Sequence, residues 1–245
     1  MPKFFAEKEN ISENQILLDG EEAKHILKVL RMQTGESLTV CDGCGTDYET
    51  VIESTEKNSL TVRILEKRPS EAESAVKITL FQCLPKASKM EYVIQKCTEL
   101  GIYKIIPCIS ERCVVKLNSN ADAAKKVERW QSIAKAAAKQ SGRGIIPEIG
   151  MPVTFKEAVS QMAAYPLSFV PYENEQGHTL KTLLRASQQP DCAAFIIGPE
   201  GGFAPEEIAL AEQNDIQTVT LGKRILRTET AGEVVLSMMN YELEL

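Results

Sequence analysis

Phe195-Ile-Ile-Gly-Pro-Glu-Gly-Gly-Phe-Ala-Pro-Glu-Glu207 is an apolar run that breaks into GPEGG and restarts as a helix at Pro205. Thr218-Val-Thr-Leu-Gly-Lys-Arg-Ile-Leu-Arg-Thr-Glu-Thr-Ala231 does the same, with a basic loop after its glycine and a helix start at Thr228. A strand ending in small residues opens backbone groups at the carboxyl edge of a sheet, where α/β proteins bind ligands. Either segment alone is served equally well by a tight turn. As a pair they read as two walls of one pocket.

The surrounding chain keeps this rhythm. Val76–Cys83, Lys104–Ile109, Leu167–Pro171, Ala193–Ile197 and Thr218–Leu221 read as strands. Lys89–Leu100, Ala121–Gln140, Phe155–Met162, Leu180–Ala186, Pro205–Gln213 and Thr228–Glu242 read as helices. Such alternation predicts a parallel sheet with helices on both faces. Residues 1–68 differ: short strands at Lys3–Phe5, Gln15–Leu18, Ser37–Cys41, Tyr48–Ser54 and Ser59–Glu66, with one helix from about Glu21 to Met32. Short strands separated by Gly and Asp turns predict a small β-barrel. Arg68-Pro-Ser-Glu-Ala-Glu-Ser74 is polar and carries a proline, so it reads as a linker. The expectation is an α/β protein of two domains, 1–70 and 75–245.

With 245 residues, two modest domains or one large one can each bury a core. No apolar run reaches the length of a membrane span, and Met1–Gly20 lacks the apolar centre of a signal peptide. A cytoplasmic location is expected. Seven cysteines, an odd number, suit a reducing compartment. Cys41-Asp-Gly-Cys44 has the spacing of a metal or redox pair, but no second such pair exists and His25 and His178 are the only histidines. Asp-Gly flanked by strand-like runs predicts a hairpin turn and no metal.

The net charge of −6 argues against a nucleic-acid partner only if it is spread evenly. Between Glu111 and Arg143 lie Arg112, Lys116, Lys125, Lys126, Arg129, Lys135, Lys139 and Arg143, against Glu111, Asp122 and Glu128. That excess suits one positive face for phosphates on an acidic body; a helix with a solvated charged face is the plainer reading. GPEGG lacks the Lys-Ser/Thr of a P-loop and the spacing of a dinucleotide fingerprint. Glu200 would oppose a polyphosphate resting on those amides. A ligand with hydroxyls, an adenine edge or a positive charge suits the loop better.

IGPEGGF followed by LGKRILRTETA, with Glu128-Arg-Trp-Gln and Lys139-Gln-Ser-Gly-Arg143 upstream, resembles the RsmE-type 16S ribosomal RNA uridine-N3 methyltransferases. These belong to the SPOUT class of knotted, S-adenosylmethionine-dependent enzymes. The resemblance also takes in His25…Val29-Leu-Arg31, Leu84-Pro-Lys86, Thr98-Glu-Leu-Gly101 and Glu111-Arg-Cys-Val-Val-Lys116. It implies a SPOUT-type parallel sheet with a deep C-terminal trefoil knot, a PUA-like RNA-binding barrel at the N-terminus, and a homodimer with the final helices at its interface. Val234, Val235, Leu236 and Met238 would fit such burial, or face the protomer's own core. The implied substrate is 16S ribosomal RNA in the small subunit, and the implied cofactor is S-adenosylmethionine.

The chemistry constrains the roles. A uridine N3 must lose a proton to accept a methyl group, leaving negative charge over N3 and the flanking carbonyls. A fixed cation lowers the cost of that charge, and a base takes the proton. Arg227 is the first candidate for the cation; a salt bridge to Glu229 or Glu233 is its plainer use. Glu200 is the candidate base, or a partner for the methionine amino group or ribose; capping the next helix explains it equally well. Glu229 is the second-choice base, or orients Arg227. The resemblance implies cofactor walls from Pro171, Gly198, Pro199, Glu200, Gly201 and Gly202. Leu221, Gly222, Ile225, Leu226, Arg227, Thr228 and Ala231 complete them. Leu221 and Leu226 are candidates to flank adenine, and Thr228 to cap its helix.

RNA contacts are expected from Arg112, Lys116, Arg129 and Arg143, with Lys3, His25, Lys28 and Arg31 on the small domain. A lone histidine is more often a satisfied helix residue, and Trp130 reads as core. The chain departs from the family at Lys3, where arginine is usual, at Ala136 and Lys139, often glutamates, and at Lys223, often proline. Alternatives are another SPOUT RNA methyltransferase acting on a ribose 2′-hydroxyl or other base, and a catalytically silent ribosome-assembly protein that binds RNA. A nucleotide phosphate-binding enzyme is opposed by the missing P-loop lysine.

Overall fold

Strands β6 (Lys77–Cys83), β7 (Lys104–Ile109), β8 (Glu148–Ile149), β9 (Val153–Thr154), β10 (Leu167–Pro171), β11 (Cys192–Ile197) and β12 (Gln217–Val219) make a parallel sheet in this computed structural model. The model describes residues 3–117, 119–187 and 189–243. The chain forms two compact units: Met1–Glu73 with Ala138–Ile146, and Ser74–Ala137 with Pro147–Leu245.

In the first unit, β1 (Lys3–Phe5), β2 (Gln15–Leu18), β3 (Ser37–Cys41), β4 (Thr46–Thr55) and β5 (Leu60–Pro69) form a mixed sheet ordered β1-β3-β4-β5-β2. β1 runs parallel to β3, and the other neighbours are antiparallel. Phe4, Ile16, Leu38, Val40, Ile52 and Val62 point to one face and bury against Ala23 and Ile26. The expected regular helix is instead a short α1 (Gly20–Lys24) that loosens into a π-helical stretch, His25–Leu30. It stops at Arg31, whose φ of 57° is left-handed.

Asp42 makes the β3–β4 hairpin, its Oδ1 accepting from the amides of Cys44 at 2.8 Å and Thr46 at 3.0 Å. Burial pushes the Cys41 thiol up to about 12. β5 runs on through Arg68 and Pro69, so the expected linker begins later than its composition suggests.

Residues 138–146 were placed by the sequence in the second domain, yet they belong to the first unit. Ala138 packs with Phe5, Cys41 and Ile146. Arg143 pairs with Glu73 at 2.6 Å, and Glu73 Oε1 also accepts from the amides of Gly144 and Ile145. The last turn of a continuous helix finds its partners far away in sequence, which periodicity cannot register.

The second unit's sheet is ordered β12-β10-β11-β6-β7-β8, with β9 also pairing β7. Its helices are α2 (Lys89–Glu99), α3 (Asn120–Gln140), α4 (Phe155–Met162), α5 (Leu180–Ala186), α6 (Pro205–Glu212) and α7 (Thr228–Leu243). Successive strand residues face opposite sides. Leu80, Ile105, Phe169 and Phe195 fall in one core with residues of α2, α5 and α7; Phe81, Ile106, Val170 and Ile196 fall in another with residues of α4 and α6. Only the two-residue strands β8 and β9 had no signal in the sequence. Trp130 is in the first of these cores, as its helical position suggested. No helix among the described residues is long and apolar enough to cross a membrane.

β11 and β12 lie on either side of β10, and the chain passes from one to the other through α6. Strand order reverses at β10, and such a reversal opens a crevice at the carboxyl edge of a sheet.

Candidate active site

A cavity of about 840 Å³ occupies that crevice, within the ~300–1,000 Å³ usual for small-molecule sites. Its walls include Pro171, Gly198, Pro199, Glu200, Gly201 and Gly202. Leu221, Gly222, Ile225, Leu226, Thr228 and Ala231 line it from the second segment. The two glycine segments thus face one space. The Thr228 hydroxyl donates to the Gly198 carbonyl at 2.6 Å and accepts from Gln82 Nε2 at 3.0 Å. This buried chain ties β6, the end of β11 and the first turn of α7 together.

A third wall escaped the sequence reading: Tyr172, Glu173, Glu175 and Gln176, the loop after β10. Glu175 Oε1 accepts from the amides of Gly177 at 2.7 Å and His178 at 2.9 Å. The His178 and Gly177 amides hold its carboxyl below the usual range. A polar loop without periodicity gives no signal beyond its position after a strand.

Glycine is required at two wall positions. A Cβ on Gly198 would stand 3.1 Å from the Phe203 ring, and Gly202 has a left-handed φ of 65° with Glu173 Oε1 2.6 Å from its would-be Cβ. The GPEGG loop is held from behind by Glu207, buried at 8% exposure. One Glu207 oxygen accepts from the Ala204 amide and the other from the Glu111 amide, each at 2.9 Å.

The candidate catalytic groups sit in unequal places. Arg227 is the one predicted wall residue outside the cavity lining. It is exposed, its carbonyl accepts from Ala231, and its guanidinium has no ion pair among the described residues. The expected bridges to Glu229 or Glu233 are absent there, because Glu229 is taken by another cation. That cation is Lys89, 3.0 Å from Glu200 Oε1 and 3.2 Å from Glu229 Oε2. The second contact is an ion pair, and the buried Glu229 Oε2 atom has no other partner among the described residues.

Glu200 Oε1 also accepts from the Lys86 amide at 3.1 Å. Burial alone would raise the Glu200 carboxyl, but the amides of Glu200 and Lys86 and the Lys89 ammonium outweigh it and leave the group below its usual value. The two carboxylates in turn raise Lys89.

The predicted RNA contacts separate into free and engaged cations. Lys28, Arg31 and Lys116 are exposed. Arg112 is exposed but donates to the Gly201 carbonyl at 3.0 Å, linking a basic segment to the cavity loop. Arg129 is paired with Glu91 at 2.8 Å. Lys3 is corrected to a structural role: its ammonium meets Asp47 at 2.9 Å, Ser70 Oγ at 3.1 Å and the Gly142 carbonyl at 3.1 Å. Arg143 is corrected likewise, since it is 3% exposed and bound to Glu73. Half-buried His25 stands edge-on to Phe4 at 5.9 Å. Counting charges along a chain assumes they face water; these do not.

Of the expected interface residues on α7, Val235 and Leu236 are fully buried in the protomer's own core. Val234 is half-buried and Met238 exposed. Among the described residues no three His, Cys, Asp or Glu side chains gather as metal ligands.

The chain is similar to known proteins over nearly its whole length. Residues 72–240 match the family described as RNA methyltransferase domain, and residues 18–65 the RNA methyltransferase PUA domain. The ribosomal RNA small subunit methyltransferase E of Bacillus subtilis is 35% identical, covering 100% of this chain and 98% of its own. The Neisseria gonorrhoeae protein of the same name, solved bound to S-adenosyl methionine, is 34% identical with a TM-score of 0.85, covering 98% of this chain and 97% of its own. A methyltransferase from Legionella pneumophila, solved in complex with the same cofactor, is 36% identical with a TM-score of 0.83 and the same coverage.

Proposed function

Because this chain belongs to the ribosomal RNA small subunit methyltransferase E family, we propose that it methylates a uridine N3 of 16S ribosomal RNA with S-adenosylmethionine. The cavity at the β10 crevice carries this reading: three loops meet there, with apolar Leu221 and Leu226, close-approach glycines and the first turn of α7. Leu221 and Leu226 would flank the adenine, and backbone groups of the three loops would take its edge and the ribose. When bound, S-adenosylmethionine supplies an activated methyl group on a positively charged sulfur, so the protein contributes alignment and charge, with no covalent intermediate.

Arg227, just before α7 and without an ion pair among the described residues, would face the uracil carbonyls and favour the anion formed when N3 loses its proton. Glu229, in the first turn of α7, is the proton acceptor of this reading. Glu200 is held below its usual value, which weakens it as a base, whereas the contact of Glu229 among the described residues is the Lys89 ammonium. Lys28 and Arg31 on the PUA-like unit, and Arg112 and Lys116 on the other, would hold phosphates.

The family's trefoil knot is supported by the path around β10. The chain leaves β10 and reaches Thr220, which donates to the His178 carbonyl at 2.8 Å and accepts from Leu180. Past the loop 221–227, Thr228 bonds Gly198 and Gln82, on the opposite side of β10 from β12. A homodimer through α7 is supported by exposed Met238 and Tyr241. The expected setting is the cytoplasm, with assembled small subunits as substrate. Tritiated-methyl transfer to undermethylated small subunits, followed by nucleoside mapping, tests the proposal. N3-methyluridine in 16S RNA is expected; label in a ribose or another base would overturn it.

A further inference from the structure

Lys89 belongs to no motif singled out in the sequence, yet it joins both candidate bases. It is the first residue of α2, a place where the helix dipole disfavours a cation. Two carboxylates offset that penalty. They come from different strand ends, Glu200 from the loop after β11 and Glu229 from the first turn of α7. The loop that delivers Lys89 is itself strained, because Ala87 holds a left-handed φ of 55° without being glycine. The same loop presents the Lys86 amide, so Glu200 Oε1 receives two donors from one short segment. Strained backbone of this kind persists where the surroundings over-determine it, often at functional sites.

We propose that Lys89 is a positioning residue for the methyl transfer: one ammonium clamps the carboxylate of the cofactor loop to the carboxylate of α7 and fixes both for the incoming uracil. This inference rests on the uridine reading above. Lys89 contributes through Glu200 and Glu229. It stops the half-buried Glu229 from turning away, and holds the GPEGG loop against α7 before RNA arrives. In the reaction, the N3 proton passes to Glu229, the methyl–sulfur bond breaks as the methyl–nitrogen bond forms, and neutral S-adenosylhomocysteine leaves. Without Lys89, Glu229 loses the one cation paired with it among the described residues, and its carboxylate is free to swing away from the uracil.

Tyr92, Lys96 and Glu99 on α2, Glu233 on α7, and Arg112 at Gly201 are the other titratable or charged groups of this region, with Arg227 just before α7. None replaces Lys89 as the ion-pair partner of Glu200 or Glu229 among the described residues.

The test compares Lys89→Met and Lys89→Arg with wild type on undermethylated small subunits, with cofactor affinity from calorimetry and thermal melting as controls. For Lys89→Met, kcat should fall by about tenfold or more while the cofactor Kd changes by less than about threefold. The acidic limb of its pH–rate profile should move to higher pH, because the substitution removes a positive charge 3.0 Å from one carboxylate and 3.2 Å from the other. Lys89→Arg should restore most of kcat and the profile. An unchanged kcat and profile in Lys89→Met would overturn the clamp. So would a loss matched in full by cofactor affinity and melting temperature, and not recovered by arginine. An inactive wild type counts against the uridine reading itself; an active wild type with an indifferent Lys89→Met counts against the clamp alone.

Discussion

The Thr228 hydroxyl and the Gly198 carbonyl, separated by 30 positions in the chain, share a 2.6 Å hydrogen bond that closes the cavity's two glycine segments on each other. Thr228→Val keeps the shape and removes the donor, leaving the half-buried Gly198 carbonyl without it. The expected cost is about 1–3 kcal/mol of stability in denaturant unfolding. Because the loop it frees forms a cofactor wall, the Kd for S-adenosylmethionine should rise by about tenfold, equivalent to ~1.4 kcal/mol. Thr228→Ser should match wild type in both measurements. Unchanged affinity in the valine variant would show that the loop is set without this bond.

Gly202 combines two constraints that can be separated. Its φ of 65° disfavours any side chain, and Glu173 Oε1 lies 2.6 Å from where a Cβ would be. The glutamate tip can swing away at little cost, whereas the backbone angle cannot change without moving the loop. Gly202→Ala should therefore weaken cofactor binding by roughly the ~1–2 kcal/mol of the left-handed conformation. Adding Glu173→Ala should recover little of it in a double-mutant cycle. Near-complete rescue by the second substitution would locate the constraint in the glutamate instead.

The cavity was legible in the sequence because its two main walls are continuous: strand, glycine, loop and helix start lie within about fifteen residues of each other in GPEGG and RILRTET. The alternating sheet was legible for the same reason, since Phe169 and Val170, or Phe195 and Ile196, show their two faces locally. What stayed hidden depends on distant partners. Lys89 reads as one more surface lysine until Glu200 and Glu229 are brought beside it. A cation opening a helix against the dipole was the one available signal. Arg227 carries the right chemistry in the sequence, yet only the structure separates it from the cavity lining.

Glu233 gives the protein a pH dependence of known sign. Burial raises its carboxyl, with Glu99 and Glu229 adding to the shift and Tyr92 and Lys96 opposing it. Its Oε1 is buried without a hydrogen-bond partner. A folded-state value above the unfolded one means that the native protein holds this proton more tightly. The contribution is fully present below the ordinary glutamate value and is lost as pH rises through the folded one. Glu233→Gln should consequently raise the melting temperature at pH 7 and leave it nearly unchanged at pH 4. Equal shifts at both pH values would place the effect outside this carboxyl's titration.

Arg143 offers the sharpest separation of folding from RNA binding. Its side chain is 3% exposed, and Glu73, 12% exposed, is 2.6 Å away while also receiving the Gly144 and Ile145 amides. Removing one partner of a buried pair leaves the other charged and without its counter-ion, which typically costs about 3–5 kcal/mol. Glu73→Ala should cost at least as much as Arg143→Ala, because it also strands two amides. A phosphate-binding arginine behaves in the opposite way. Its loss would leave unfolding untouched and lower the salt dependence of RNA binding by about one unit of slope. Denaturant melts together with RNA affinity at several salt concentrations decide the matter. A stable Arg143→Ala protein with a shallower salt slope would return Arg143 to the RNA surface, whereas a destabilised one with the wild-type slope assigns it to the fold.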